Sequence, residues 1–349
     1  MLEDFIRKMP KMELHVHIEG TLEPELMMKL AAKNRIEFPF RSAADIRRAY
    51  NFNDLQSFLD IYYQGLAVLS TEDDFYHLTR AYLQKASEQN VRHAEIFFDH
   101  QAHTVRGIEF ETVVKGIHRA MKDAELQLNL SSKMIMCILR HLSVAEALET
   151  LEKANDFKDE IAAIGLDSSE LGHPPEKFVE VFSRARQWGF KTVAHAGEEG
   201  PPDYIWQALK ILHVERIDHG IRCLEDARLV EYLVKKQVPL TVCPMSNVKL
   251  KIFDHMQQHN VKEMMASGLC VTVNSDDPAY FGGYIAENFL SLQQAHGLTI
   301  DDISRLSRNA IKASFLNSIE KKKHLNELDE FVSSYKLTQP RQICLNTSL

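Results

Sequence analysis

The sequence predicts an α/β fold, a (β/α)8 TIM-type barrel with a helical insertion after the first strand and extra C-terminal helices. Three observations predict it. Eight short apolar, β-branched runs stand at 12–16, 91–98, 133–139, 161–166, 191–194, 216–218, 240–243 and 270–274. Several are apolar almost throughout, as expected of strands buried on both faces of a parallel sheet. Longer segments with helical spacing separate most of these runs, and such alternation builds a parallel barrel. The third observation is length without a break. The 349 residues suit one large barrel, and no Pro/Gly/Ser-rich linker, internal repeat or heptad run divides them, so residues 1–349 read as one domain.

After the first strand the chain departs from the repeat with helical segments at 23–34 and 53–69. In the second of these, Leu55, Phe58, Leu59 and Tyr62 share one face, which suits either core packing or a lid over the barrel mouth. The repeat then resumes, with amphipathic helices at 71–90, 109–127, 143–157, 174–188, 203–213 and 225–236. Beyond the eighth strand come helices at 282–296 and 301–318, then a charged helix beginning near Ile319.

Composition narrows the function. With 45% hydrophobic and 26% charged residues, and only 14 Gly and 11 Pro, the chain is that of a packed globular protein. Its 41 basic and 49 acidic residues give a net charge of −8 without a basic stripe, which argues against nucleic-acid binding. No apolar run approaches the roughly 20 residues of a membrane span, and the opening MLEDFIRKMPKMELHVH lacks a signal-peptide core, so a cytoplasmic location and no membrane partner are expected. The five cysteines, Cys137, Cys223, Cys243, Cys270 and Cys344, form no CxxC pair, so neither disulfides nor a thiolate zinc site is expected.

A barrel carries its chemistry at the C-terminal ends of its strands. The first strand ends in His15-Val16-His17, and side chains two apart on a strand point the same way, so both imidazoles can reach one metal. The fifth ends in His195-Ala196-Gly197-Glu198, the sixth in Asp218-His219-Gly220, and the eighth in Asn274-Ser275-Asp276-Asp277-Pro278. Taken singly, each polar residue has an ordinary structural role: a core histidine, a helix-start acid, a turn residue or a helix cap. Falling together at one end of four strands, they point to a site. Three neutral imidazoles with one carboxylate suit zinc and leave a position for water or substrate.

These segments, with His15-Val16-His17-Ile18-Glu19-Gly20-Thr21 at the start and Cys243-Pro244-Met245-Ser246-Asn247 after strand seven, resemble the successive motifs of the adenosine/adenine deaminase family within the amidohydrolase superfamily. The resemblance implies a single zinc ion with His15, His17, His195 and Asp276 as ligands. It also implies Glu198 as the proton shuttle, His219 beside the attacking water, and Asp277 hydrogen-bonded to a purine N7. Binuclear amidohydrolases commonly bridge their metals with a strand-four lysine, but here that end reads Gly165-Leu166-Asp167-Ser168-Ser169-Glu170-Leu171-Gly172, which favours one metal. His3Asp ligation also tolerates iron, manganese or cobalt.

Two departures bear on the substrate. Nucleoside deaminases typically follow the first HxH with an Asp that contacts the sugar, whereas Glu19 stands here. After strand four they show Gly followed by two acids, whereas residues 167–175 read DSSELGHPP, similar to the free-base adenine deaminases. The resemblance therefore implies that adenine and water are the partners and that hypoxanthine and ammonia are the products, as in purine salvage. Gly172 is expected to offer its N–H to purine N3, while Glu19 and the altered loop fill space a ribose would take. Tyr280 to Tyr284 either adds aromatic walls or packs the last turn. An N6-substituted adenine, or adenosine, is the alternative substrate. A non-catalytic relative on the same fold is the alternative of a different class, and the complete ligand set with Glu198 argues against it. Nothing in the sequence sets the oligomeric state.

Overall fold

The computed structural model describes residues 2–338; Cys344 lies outside them. β1 (Lys11–His17), β2 (Val91–Phe98), β3 (Ser131–Leu139), β4 (Ile161–Asp167), β5 (Lys191–Ala196), β6 (Arg216–His219), β7 (Pro239–Val242) and β8 (Cys270–Val273) lie side by side in chain order, all parallel. All eight expected runs are strands. The ring is drawn together between the ends of β1 and β8. There the His17 N–H donates to the Asp276 carbonyl at 3.0 Å, and the Asp276 N–H donates to the His15 carbonyl at 3.1 Å. Three residues with candidate metal roles, His15, His17 and Asp276, thus sit on the seam itself.

Most helices fall where the apolar spacing puts them, and their starts are written in short polar signals. Thr71 with Asp74, Ser143 with Glu146, and Thr299 with Asp302 each form a reciprocal cap, satisfying N–H groups that a helix leaves free. The expected 174–188 helix is interrupted. A 3-10 turn, Pro175–Phe178, precedes helix Val179–Gln187. The 203–213 helix closes in a wider turn at Ala208–Leu212, and the 53–69 helix is Leu55–Gly65 followed by a 3-10 turn. Short helices at Leu2–Lys8, Ala43–Ala49, His100–Thr104, Pro244–Lys249, Val261–Ala266 and Pro278–Phe281 were not expected from periodicity, which one or two turns scarcely register. The chain's charged helix runs Ser318–Thr338. Among the described residues, no helix is long and apolar enough to cross a membrane.

Inside the ring the two halves differ. Phe97, Ile135, Cys137, Ala163 and Val193 fill the half made by β2 to β5. The other half holds a buried polar stack beneath the site. Arg216 donates to Glu95, to Asp218 at 3.3 Å and to the Leu14 carbonyl at 3.0 Å, and the Phe315 ring lies 4.9 Å from its guanidinium. Burying such a network is costly unless its members are paired, and this one is placed to hold the ligands above it. Cys137, Cys223, Cys243 and Cys270 are all buried free thiols, as expected.

Candidate active site

The site is built on backbone that ordinary residues avoid. His219 closes β6 and Asp276 follows β8, and each has φ of 64°, the left-handed region that penalises a side chain with a Cβ. Strain of this kind costs about 1–3 kcal/mol per residue and persists only where the surrounding structure imposes it. Here it turns both side chains toward β1.

Around them the donor atoms converge. His15 Nε2 lies 3.0 Å from Asp276 Oδ1, and His17 Nε2 lies 3.4 Å from the same oxygen and 3.2 Å from His195 Nε2. Ligand atoms of His15, His195, His219 and Asp276 all fall within 4.8 Å of one another. Burial holds His17 and His219 neutral, each lowered to about 3, and lowers His195 well below the ordinary imidazole range. Burial alone would raise Asp276, but its contact with His15 foremost outweighs it and lowers the carboxyl below its ordinary range. Neutral imidazoles and an ionised carboxylate are the forms a metal requires.

The supporting residues fix which nitrogen faces inward. Thr241 donates its hydroxyl to Asp218 at 2.9 Å, so its oxygen is left to accept from His15 Nδ1, also at 2.9 Å. Nε2 of His15 is then a bare lone pair, buried and without a hydrogen-bond partner. Nδ1 of His195 faces Asp218 at 3.7 Å and Nδ1 of His17 faces Asp167 at 3.6 Å, so all three rings have an oxygen behind them, with Nε2 of His15 and His17 toward Asp276 and Nε2 of His195 toward that of His17. Outer oxygens of this kind orient metal-binding histidines. The orphaned Nε2 of His15 and the close approach of two imidazole nitrogens fit a cation of zinc's preferences.

Glu198 and Asp277 flank this cluster in a pocket they share with His17, His195, His219 and Asp276. Glu198 Oε2 stands 3.6 Å from His219 Nε2. Burial, reinforced by Asp276 and Glu170, holds the Glu198 carboxyl well above its ordinary range. Burial and then Asp276 do the same for Asp277, whose carboxylate occupies the place a side chain on Gly20 would take. Leu55, Phe58, Leu59 and Tyr62 close the pocket from the insertion helix, and Phe281 adds a wall, while Tyr280 stacks on Tyr50 at 4.6 Å.

Two expected contacts stand elsewhere. Gly172 is on an exposed turn away from the pocket lining, because the chain turns outward at residues 171 and 172 after the buried Glu170; Asp167 and Ser168 form the wall at that strand end. Glu19 is fully buried and also outside the lining. Its Oε1 accepts from the Asp99 N–H at 3.1 Å and faces His103 Nε2 at 3.0 Å, so it supports Asp99 from behind.

The loop that carries Glu198 is held by a buried acid. Glu170 accepts the N–H groups of Gly197, Glu198, Glu199 and Gly200 at 2.7, 3.0, 2.8 and 2.7 Å. A Cβ on Gly200 would come within 2.5 Å of that carboxylate, which is why glycine stands there. Glu170→Ala leaves these donors without their acceptor, and each buried unsatisfied N–H costs about 1–3 kcal/mol. The variant is expected to lose about 3 kcal/mol or more of stability and much of kcat while retaining its metal. Denaturant unfolding with metal analysis checks this, and an unchanged midpoint would contradict it.

The family described as Adenosine deaminase matches residues 10–331 of this chain. The chain belongs to the adenosine deaminase family. An adenine deaminase of Hahella chejuensis is 55% identical over 334 residues, spanning 96% of this chain and 100% of its own. Another, from Chlorobium phaeobacteroides, is 58% identical over 330 residues, 95% of this chain and 98% of its own. The crystal structure of adenine deaminase from Arthrobacter aurescens superimposes with a TM-score of 0.92 at 50% identity, over 93% of this chain and 99% of that one. An amidohydrolase from B. ambifaria, solved with bound Zn, gives 0.87 at 27% identity over 96% and 94%. In this adenosine deaminase family member, sequence reading passed over Glu170, Asp99 and Asp167 as site residues. The paired Gly197 and Gly200 around two acids were the available signal for Glu170, since close glycines mark backbone approached by another group.

Proposed function

We propose that the protein removes the 6-amino group of adenine by hydrolysis, giving hypoxanthine and ammonia, with one zinc ion held by His15, His17, His195 and Asp276, as a step of purine salvage in the cytoplasm. The observation that carries this reading is the placement of Glu198 and Asp277 beside the His/Asp cluster in one buried pocket. The adenine deaminases named above support the free base as substrate.

When bound, zinc acidifies a coordinated water to a pKa of about 7 and so supplies a nucleophile at neutral pH. The chain's own groups do the rest. Attack at C6 breaks the ring's aromaticity and would leave negative charge on N1 unless N1 is protonated as the C–O bond forms, and the carboxyl of Glu198, whose burial favours its protonated form, delivers that proton. As the C–N bond breaks, the same side chain carries a proton from the attacking water to the departing nitrogen. His219, held neutral, orients the water by hydrogen bonding rather than as a cation. Asp277, protonated for the same reason as Glu198, donates to N7 and fixes the base in the plane of attack.

Ammonia release from adenine, adenosine and isopentenyladenine tests the substrate. The highest kcat/KM is expected for adenine. A value for adenosine equal to or above that for adenine would overturn the reading in favour of a nucleoside deaminase, and a higher value for isopentenyladenine would reassign the substrate to N6-substituted bases.

A further inference from the structure

With C6 at the His/Asp cluster, N1 at Glu198 and N7 at Asp277, a bound purine turns its remaining edge, N3 and N9, toward the ends of β2 and β4. This placement rests on the function proposed above. Those strand ends present Asp99 and Asp167, which line the pocket at 3% and 2% exposure. Neither belongs to the expected zinc set. The two carboxyls hydrogen-bond to one another, Asp167 donating and Asp99 accepting, and Oδ1 of each is otherwise buried with no further protein donor. The other oxygens are oriented: Tyr62 OH lies 3.5 Å from Asp99 Oδ2, and His17 Nδ1 lies 3.6 Å from Asp167 Oδ2. Glu19 holds the Asp99 backbone from behind. A carboxylate that accepts one shared proton keeps further lone pairs, so Asp99, at the rim of the binding pocket, can still accept a donor from the ligand.

The free base has one donor on this edge. Its N9–H is replaced by carbon in every nucleoside or N9-alkyl purine. The angular order also agrees, since purine nitrogens run N1, N3, N9, N7 around the rings and the facing residues run Glu198 on the β5 end, Asp167 on β4, Asp99 on β2 and Asp277 beside the β8–β1 seam.

We propose that Asp99 accepts the N9–H of the free purine base and is thereby the residue that separates a base from its N9-substituted forms, with Asp167 positioning it. An N9 substituent removes the donor and leaves the acid unpaired, and sites built to bond a substrate N–H reject analogues that lack it.

The test compares adenine with 9-methyladenine in the zinc-loaded full chain, in wild type, Asp99→Asn and Asp99→Ala. Wild type is expected to prefer adenine by at least about 100-fold. Asp99→Ala is expected to lower kcat/KM for adenine by about 10- to 100-fold, the loss of a buried hydrogen bond to the substrate, with 9-methyladenine changed by less than about threefold. Asp99→Asn, whose amide oxygen still accepts, should fall between them and guards against a folding defect in the alanine variant. Equal losses on both substrates, or an unshifted preference in either variant, would overturn the assignment. So would two metals per chain in wild type with one lost in Asp99→Ala, because Asp99, Asp167 and His17 would then be cation ligands. A wild type inactive on every purine would instead count against the proposed function.

Discussion

Glu198→Gln is expected to lower kcat on adenine by at least about 100-fold, and by as much as about 10,000-fold, with metal content unchanged. The range is that of a general acid–base group, and the amide keeps the shape of the carboxyl while being unable to pass its proton to N1. The metal should stay because no measured contact ties Glu198 to the ligand oxygens or nitrogens more closely than its 3.6 Å approach to His219. Its loop should stay as well, since Glu170 holds the backbone and not the side chain of residue 198. Steady-state kinetics beside metal analysis checks both halves. A variant within about tenfold of wild type would remove Glu198 from the mechanism.

Asp276→Ala is expected to abolish high-affinity metal binding and to reduce turnover on adenine by about 100-fold or more at equimolar zinc. Losing an outer-sphere partner of a metal site commonly costs about 10- to 100-fold, and Asp276 is placed inside that sphere, in reach of His15 and His17 and within the donor group that includes His195 and His219. Its removal also takes away the carboxylate that His15 Nε2 faces at 3.0 Å. Two measurements separate the effects: metal per chain after dialysis, and activity at excess zinc. Full occupancy in the variant would contradict the ligand assignment.

The fold was legible because a parallel barrel repeats one simple pattern, and apolar runs such as Val91–Phe98 admit little else. The strand-end histidines were legible for a related reason: a polar residue that interrupts such a run stands out. The sequence was silent where position depends on backbone path. The left-handed turns at His219 and Asp276 bring ligand atoms together that spacing alone leaves apart. The outward turn at residues 171 and 172 takes Gly172 from the pocket and leaves Ser168, itself at φ of 73°, in its wall. Asp99 follows an apolar strand and precedes a one-turn helix, His100–Thr104, so in one dimension it looks like a helix-start acid. Only closure of the ring sets it beside Asp167. Glu19 shows the converse, a residue placed by motif near the substrate whose Oε1 is turned to the Asp99 backbone and His103.

Titrating metal-free protein with zinc while following adenine consumption tests the central claim most directly. Activity is expected to rise in proportion to zinc up to one equivalent per chain and then level off, with hypoxanthine and ammonia formed in equal amounts. No adenine turnover at one equivalent, or activity that appears only with a second, would contradict a single-metal adenine deaminase built on His15, His17, His195 and Asp276.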